Sequence, residues 1–383
     1  MINRIIKQKL VRTRKSTLLL GPRQVGKSTM METIEVDISI NLADELTFLN
    51  HSSNPQLLLE LIEANNATTI FIDEIQRAPK MLNSIQAIVD KNKNKKFYLT
   101  GSSARKLKSG GANLLPGRLV NFYLGPFVAS EFNYKLETKT NLEFGSLPEI
   151  YLLNDNEERK RILKSYSANY IKEEIKAEAL VRNLDSFARF FNECTKNVSQ
   201  FIDYSKLANH SKISRHSIPR YFEILEDTLI AERIFPLDLQ YHDLDLVKHP
   251  RFFFFDNGVY NGLLGNFIAS SDRIGLLAEQ LVFSQLKHSA WAKEKDITIY
   301  SFRTRQGIEV DFVVKIEETL YAIEVKNSEN LISEDFSGLD FFKDNVGLKN
   351  SIERFVFHMG KKSTNRGDIK IVPWQEGLQL IGL

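Results

Sequence analysis

The sequence predicts a multidomain α/β protein, and three observations predict it. Apolar runs alternate with helical patterns over the first 140 residues. Residues 156–233 are helix-rich with few turn residues. After about residue 250 strand-like runs return around a long helical stretch. At roughly 150 residues per domain, 383 residues suit two to three domains. The expected modules are 1–140, 141–245 and 246–383.

Residues 1–10 carry Ile2, Ile5, Ile6 and Leu10 on one side of a short amphipathic helix. Ser16–Leu20 is an apolar run ended by Gly-Pro. Thr29–Ile34, Leu57–Ala64 and Met81–Val89 read as helices; Ile70–Ile72, Phe97–Leu99 and Leu119–Leu124 read as strands. Strands alternating with helices predict a parallel sheet covered on both faces. In the last module Phe252–Phe255, Ile297–Phe302, Val310–Lys315 and Leu320–Lys326 are strand candidates, and Ile274–His288 is a helix. Asp256-Asn-Gly258 reads as a plain turn with no chemistry assigned.

The first chemical signal is Gly21-Pro22-Arg23-Gln24-Val25-Gly26-Lys27-Ser28, a full G-x-x-x-x-G-K-[ST] match followed by Thr29. A strand precedes it and a helix follows. Gly21 and Gly26 let backbone N–H groups turn toward phosphate, and the helix N-terminus adds its positive dipole end. In this pattern Lys27 reaches the terminal phosphates of ATP and Ser28 ligates Mg²⁺. Downstream, Thr69–Glu74 is an apolar strand ending in two carboxylates. Asp73 suits the magnesium shell, and Glu74 suits the general base that polarises the attacking water. Phe97–Leu99 runs into Thr100-Gly-Ser-Ser103, so Thr100 or Ser102 is a candidate phosphate sensor beside the ligand-binding end of such a sheet. Arg118 stands just before another apolar strand. It either acts across a subunit interface on transition-state charge, which requires a homo-oligomer, or pairs with a local acid.

In the middle module, Tyr204–His210 and Ser217–Ile230 form two helices joined by a short turn, with Ser214 as cap. A strand-like Ile230–Phe235 follows, a winged helix-turn-helix pattern. Leu207, Ala208, Ile218, Tyr221, Phe222, Leu225 and Leu229 face inward. Lys212, Arg215, His216 and Arg220 face outward, along DNA phosphates or toward a protein partner.

In the last module, alternation puts Asp311 and Glu309 on one face of a strand, and Glu324 and Lys326 on one face of the next. A four-residue loop at 316–319 pairs Lys315 with Leu320 at a constant sum of 635. Asp311 then lies opposite Glu324, with Lys326 roughly 7 Å further along. Two carboxylates and a lysine on one sheet face suit a Mg²⁺ or Mn²⁺ ion for phosphodiester cleavage. They equally suit a charged, solvated face. Arg303 and Arg305 are local phosphate contacts.

At these residues the chain resembles the prokaryotic AAA-type ATPases that carry a C-terminal domain of unknown function. The resemblance rests on residues 21–29, 69–76, 99–107 and 115–118, then 169–175, 221–230, 253–265 and 303–326. It covers roughly residues 16–330. It implies ATP binding and hydrolysis, a winged-helix segment and a nuclease-like C-terminal domain. Asp311, Glu324 and Lys326 resemble the PD-(D/E)xK signature of restriction-endonuclease-like folds, and Glu279 resembles their extra helical acid. The leading Pro-Asp of that signature is absent, because Val310 precedes Asp311.

Charge adds a direction. Residues 1–135 hold 19 Lys and Arg against 11 Asp and Glu, a net of +8, which favours an anionic partner. Residues 250–383 carry a net of −2, weak support for a DNA groove. The single cysteine, Cys194, excludes an intrachain disulfide and a multi-Cys zinc site and reads as a buried small hydrophobe. No apolar run reaches the ~18 residues of a membrane span, and residues 1–10 lack the apolar stretch of a signal peptide. The expected protein is cytoplasmic, contacts no membrane and couples ATP to DNA. The alternative is a nucleotide-dependent protein-interaction switch with a catalytically inactive nuclease-like domain.

Overall fold

The computed structural model describes residues 2–54, 56–102, 117–167, 184–237, 244–346 and 351–383. Much of the 99–107 and 115–118 motifs, including Ser103, and all of 169–175 lie outside the described residues. The chain forms two compact units. One comprises residues 1–126 with the short segments 227–230 and 291–294. The other comprises 127–226, 231–290 and 295–383. The 245/246 boundary expected from composition therefore lies inside the second unit.

The first unit is built on five parallel strands: β1 (Ser16–Leu20), β2 (Ile38–Asn41), β3 (Thr69–Asp73), β4 (Lys96–Gly101) and β5 (Leu119–Tyr123). Their spatial order is β2-β3-β4-β1-β5, and every neighbouring pair is parallel. This is the expected α/β sheet. All five residues of β1 are buried, as a strand covered on both faces requires. Leu18, Leu20, Ile40, Ile70, Ile72, Ile85 and Phe97 form its core.

Local differences have local causes. The first helix is Ile5–Arg12 rather than 1–10, burying Ile6 and Leu10. The helix after the glycine loop stops at Met31, not Ile34. There the Thr33 hydroxyl donates to the Met30 carbonyl at 2.6 Å, competing with the helical pattern. Strand β2 has no counterpart among the sequence expectations. It lies at the sheet edge with one fully buried residue in four, so it makes no apolar run. The helix Glu45–Ser53, also unforeseen, is capped by Asp44, which accepts from the Thr47 N–H at 2.8 Å.

The second unit holds an eight-stranded mixed sheet. Its strands are β6 (Ala231–Pro236), β7 (Arg251–Phe254), β8 (Ile297–Arg303), β9 (Glu309–Ile316), β10 (Thr319–Lys326), β11 (Ser351–His358), β12 (Thr364–Arg366) and β13 (Ile369–Pro373). The order is β12-β13-β11-β10-β9-β8-β6-β7. Strand β6, read from sequence as the wing of the middle module, joins this sheet through Phe235 and Pro236 beside Tyr300 and Ser301. Strand β7 is buried along its whole length. The β9–β10 pairing keeps the expected sum, with Leu320 opposite Lys315. The turn, however, is only Glu317-Glu318. Ile316 and Thr319 are themselves paired, and Glu317 takes a left-handed φ of 53° that closes the shorter loop.

The helices Tyr204–Ser211 and Ser217–Asp227 occupy the expected positions. Leu207, Ala208, Ile218, Tyr221, Phe222 and Leu225 are buried, and Leu229 is half-buried after the helix has ended. Asp256-Asn-Gly258 is not a plain turn. Asp256 caps the helix Asn257–Leu264 by accepting from Val259 N–H, and its other oxygen accepts from Ser146 N–H at 2.8 Å. A Cβ on Gly258 would lie 1.9 Å from the Phe144 carbonyl oxygen, so the cap needs glycine there. Cys194 is buried, which pushes its thiol up. Among the described residues no helix is long and apolar enough to cross a membrane.

Candidate active site

The sheet order of the first unit brings three strand tips together. Strand β4 lies between β1 and β3, so the glycine loop after β1 neighbours Thr100, and Thr100 neighbours Asp73. Ligands of open α/β sheets bind at this carboxyl edge.

Each end of the glycine loop has a reason for its residue. Gly21 N–H donates to the Gly101 carbonyl at 3.3 Å, tying the loop to β4. A Cβ at Gly21 would lie 2.2 Å from the Leu124 carbonyl oxygen. Gly26 takes φ 85°, and Gln24 takes φ 60°. The helix Lys27–Met31 begins directly after Gly26. Pro22 and Val25 are buried, Arg23 and Ser28 half-buried, and Gln24 and Thr29 exposed. Lys27 is 5% exposed, and its ammonium donates to the carbonyls of Gly21 and Pro22, both at 2.9 Å. Arg4, which sequence reasoning missed, donates to the Val25 carbonyl at 2.8 Å and to the Gly125 carbonyl at 2.7 Å. No spacing rule links position 4 to this loop.

The acidic tip of β3 is wired to β4. Asp73 is buried and accepts from the Thr100 hydroxyl. The same hydroxyl accepts from the Glu74 N–H at 3.1 Å. Glu74 has a left-handed backbone, φ 58° and ψ 43°, which marks an abrupt end to the strand. The Gln76 amide donates to the Glu74 carboxylate and to the Ser102 hydroxyl. Gln76, which no sequence motif singles out, is the direct partner of the expected base. Arg118 forms an exposed ion pair with Asp90 in the same unit, the local-acid alternative of its two expected roles.

In the second unit, Lys212, Arg215, His216 and Arg220 are exposed around the turn between the two helices. The carboxylates Glu279, Asp311 and Glu324 are drawn toward one side of the sheet with Lys326. They meet a cation that sequence reasoning missed, Arg251 of β7. Its guanidinium bonds Glu279 and lies 3.7 Å from Glu309 and 3.8 Å from Asp311. Asp311 Oδ2 accepts from the Val325 N–H at 2.8 Å. Lys326 pairs with Glu324 and Asp335, both at 3.0 Å. Burial, then the charge of Asp311, pushes the carboxyls of Glu279 and Glu324 well above the usual range, against the pull of Arg251 and Lys326 respectively. Arg303 pairs with Glu309 at 3.5 Å and Arg305 with Asp245 at 3.1 Å, so both have acidic partners. Among the described residues no group of three or more His, Cys, Asp or Glu side chains is arranged to hold a metal ion.

Comparison with known proteins gives the first unit a class. A family model described as an AAA domain matches residues 13–133. Two models described as domains of unknown function (DUF8612 and DUF4143) match 136–269 and 274–376. Uncharacterized protein MJ1544 of Methanocaldococcus jannaschii is 24% identical, covering 91% of this chain and 84% of its own. Uncharacterized protein Rv2008c of Mycobacterium tuberculosis is 23% identical, covering 81% and 70%. Among solved structures, replication initiator DnaA bound to AMPPCP and single-stranded DNA aligns with 58% of this chain and 86% of that chain. Its identity is 11% and its TM-score 0.29. The AAA match and the parallel α/β sheet support a nucleotide-binding AAA-type ATPase.

Proposed function

We propose that the protein hydrolyses ATP at the carboxyl edge of the five-stranded sheet and uses nucleotide state to control a DNA partner. The observation that carries the ATPase part of this reading is the junction of three strand tips: the Gly21–Ser28 loop after β1, Asp73 and Glu74 after β3, and Thr100 on β4, joined through the Thr100 hydroxyl.

The residues divide the chemistry. Backbone N–H groups of residues 23–28 and the following helix N-terminus grip the phosphates, with Arg23, Gln24 and Thr29 at the rim. Lys27 exchanges its two carbonyl partners for the terminal phosphates. Ser28 and Asp73 supply the hydroxyl and carboxylate oxygens that Mg²⁺ prefers. The ion, when bound, offsets charge on the phosphates. Glu74 accepts a proton as water oxygen bonds the terminal phosphorus and the bond to the ADP oxygen breaks. Thr100 holds Asp73 and senses the terminal phosphate. Arg118 completes a neighbouring site in a homo-oligomer after exchanging its Asp90 partner.

Lys212, Arg215 and Arg220, exposed on a winged-helix-like pair, are the proposed phosphate contacts on DNA. The face holding Glu279, Asp311, Glu324 and Lys326 is read as nuclease-like. The proposed location is the cytoplasm. The test is the ATPase rate with and without single-stranded, duplex and branched DNA and RNA. Stimulation by one DNA form supports the reading; an unchanged rate with no salt-sensitive binding removes the DNA partner. A second reading, a protein-interaction switch with an inactive nuclease-like domain, is favoured by the cation seated among the C-terminal carboxylates.

A further inference from the structure

We infer that the carboxylate cluster of the eight-stranded sheet is built around an internal cation, the guanidinium of Arg251, in place of a divalent metal ion. The inference uses the nuclease-like reading only for the expectation of a metal; its geometry stands on Arg251 and its neighbours and is independent of ATP hydrolysis.

Arg251 is fixed from every direction. Its side chain is 2% exposed. Nε donates to the Ser199 carbonyl at 2.7 Å, Nη1 to the Asp311 carbonyl at 2.8 Å, and Nη2 to the Glu279 carboxylate. The rings of Phe201, Phe253 and Phe312 stand 5.2–5.6 Å from its Cζ and close the site with apolar walls. A buried guanidinium depends on such bonds and ion pairs to offset the cost of leaving water.

Each carboxylate a metal would use already faces a cation or an N–H donor. Asp311 gives Oδ2 to the Val325 N–H and turns Oδ1 toward Arg251. Glu279 is bonded to Arg251, and Glu324 to Lys326. A magnesium-sized ion demands near-octahedral oxygens at about 2.1 Å. It would also have to sit beside the buried, hydrogen-bonded guanidinium of Arg251. The residues present therefore do not fit a divalent ion.

Calorimetry with Mn²⁺, on the full chain without nucleotide, tests this directly. Wild type and Asp311→Asn are expected to give the same isotherm. Arg251→Met leaves the carboxylates without their cation and removes its repulsion of a second cation, so it is expected to bind Mn²⁺ tighter than wild type by about tenfold or more. That gain should vanish in Arg251→Met combined with Asp311→Asn. A Mn²⁺ site in the wild type that Asp311→Asn removes overturns the inference. So does a folded Arg251→Met protein that gains no Mn²⁺ affinity. If Arg251→Met does not fold, the comparison of wild type with Asp311→Asn still decides. Loss of ATPase activity in any preparation would bear on the nucleotide reading alone, because this titration contains no nucleotide.

Discussion

Gln76 holds Glu74. Its side-chain amide donates to the Glu74 carboxylate and, at 3.0 Å, to the Ser102 hydroxyl, so the end of β3 and the residue after β4 share one buried amide. A general base works only when its carboxylate meets water in a narrow range of positions. Gln76→Ala is therefore expected to lower kcat for ATP roughly 10- to 100-fold while leaving KM within a few-fold. Steady-state ATPase assays check this. A rise in KM with kcat intact would place Gln76 in binding rather than orientation.

Lys27 and Glu74 are expected to separate binding from turnover. Lys27→Ala should abolish nucleotide binding in calorimetry. Glu74→Gln should bind ATP normally and hydrolyse it about 10²- to 10⁴-fold more slowly. Hydrolysis at the wild-type rate by Glu74→Gln removes Glu74 from the base role.

Thr100 links the two acids. Thr100→Val leaves the Asp73 carboxylate without its donor and the Glu74 N–H without its acceptor. A buried polar group left unpaired costs about 1–3 kcal/mol. The expected result is a lower melting temperature and a higher Mg²⁺ concentration for half-maximal ATPase. An unchanged Mg²⁺ titration would exclude Thr100 from positioning Asp73.

Asp256 makes stability depend on pH. Burial pushes its carboxyl up to about 6, against the opposing hydrogen bonds from Ser146, Val259 and Gly258 N–H groups. The folded state then holds its proton more tightly than the unfolded state between the ordinary carboxylate range and pH 6. The contribution is present at pH 4 and is lost as pH rises through 6, on the order of 3 kcal/mol. Asp256→Asn should flatten this part of the profile. Urea unfolding of both proteins from pH 4 to 8 measures it; identical slopes would refute it.

The helix pair of the second unit offers a charge test. Replacing Lys212, Arg215 and Arg220 with alanine should weaken DNA binding uniformly across sequences and flatten its salt dependence, by about 0.9 in log–log slope per lost phosphate contact. An unaltered slope would move the DNA contact elsewhere.

The sequence by itself determined the elements whose reasons are local. Gly21–Ser28 is legible because a phosphate loop needs its glycines and lysine at set spacings within one turn of chain. The β9–β10 register is legible because a short hairpin admits few pairings, and the two-residue turn kept the sum even though its length differed. Strand β2 escaped because an edge strand needs no continuous apolar run. What only tertiary structure decided is which charges meet. Arg251 joins Glu279 across 28 residues and the Asp311 carbonyl across 60. Thr100 joins Asp73 across 27. No periodicity encodes such pairs. They follow from strand order and from apolar packing, here the Phe201, Phe253 and Phe312 rings that surround the Arg251 guanidinium.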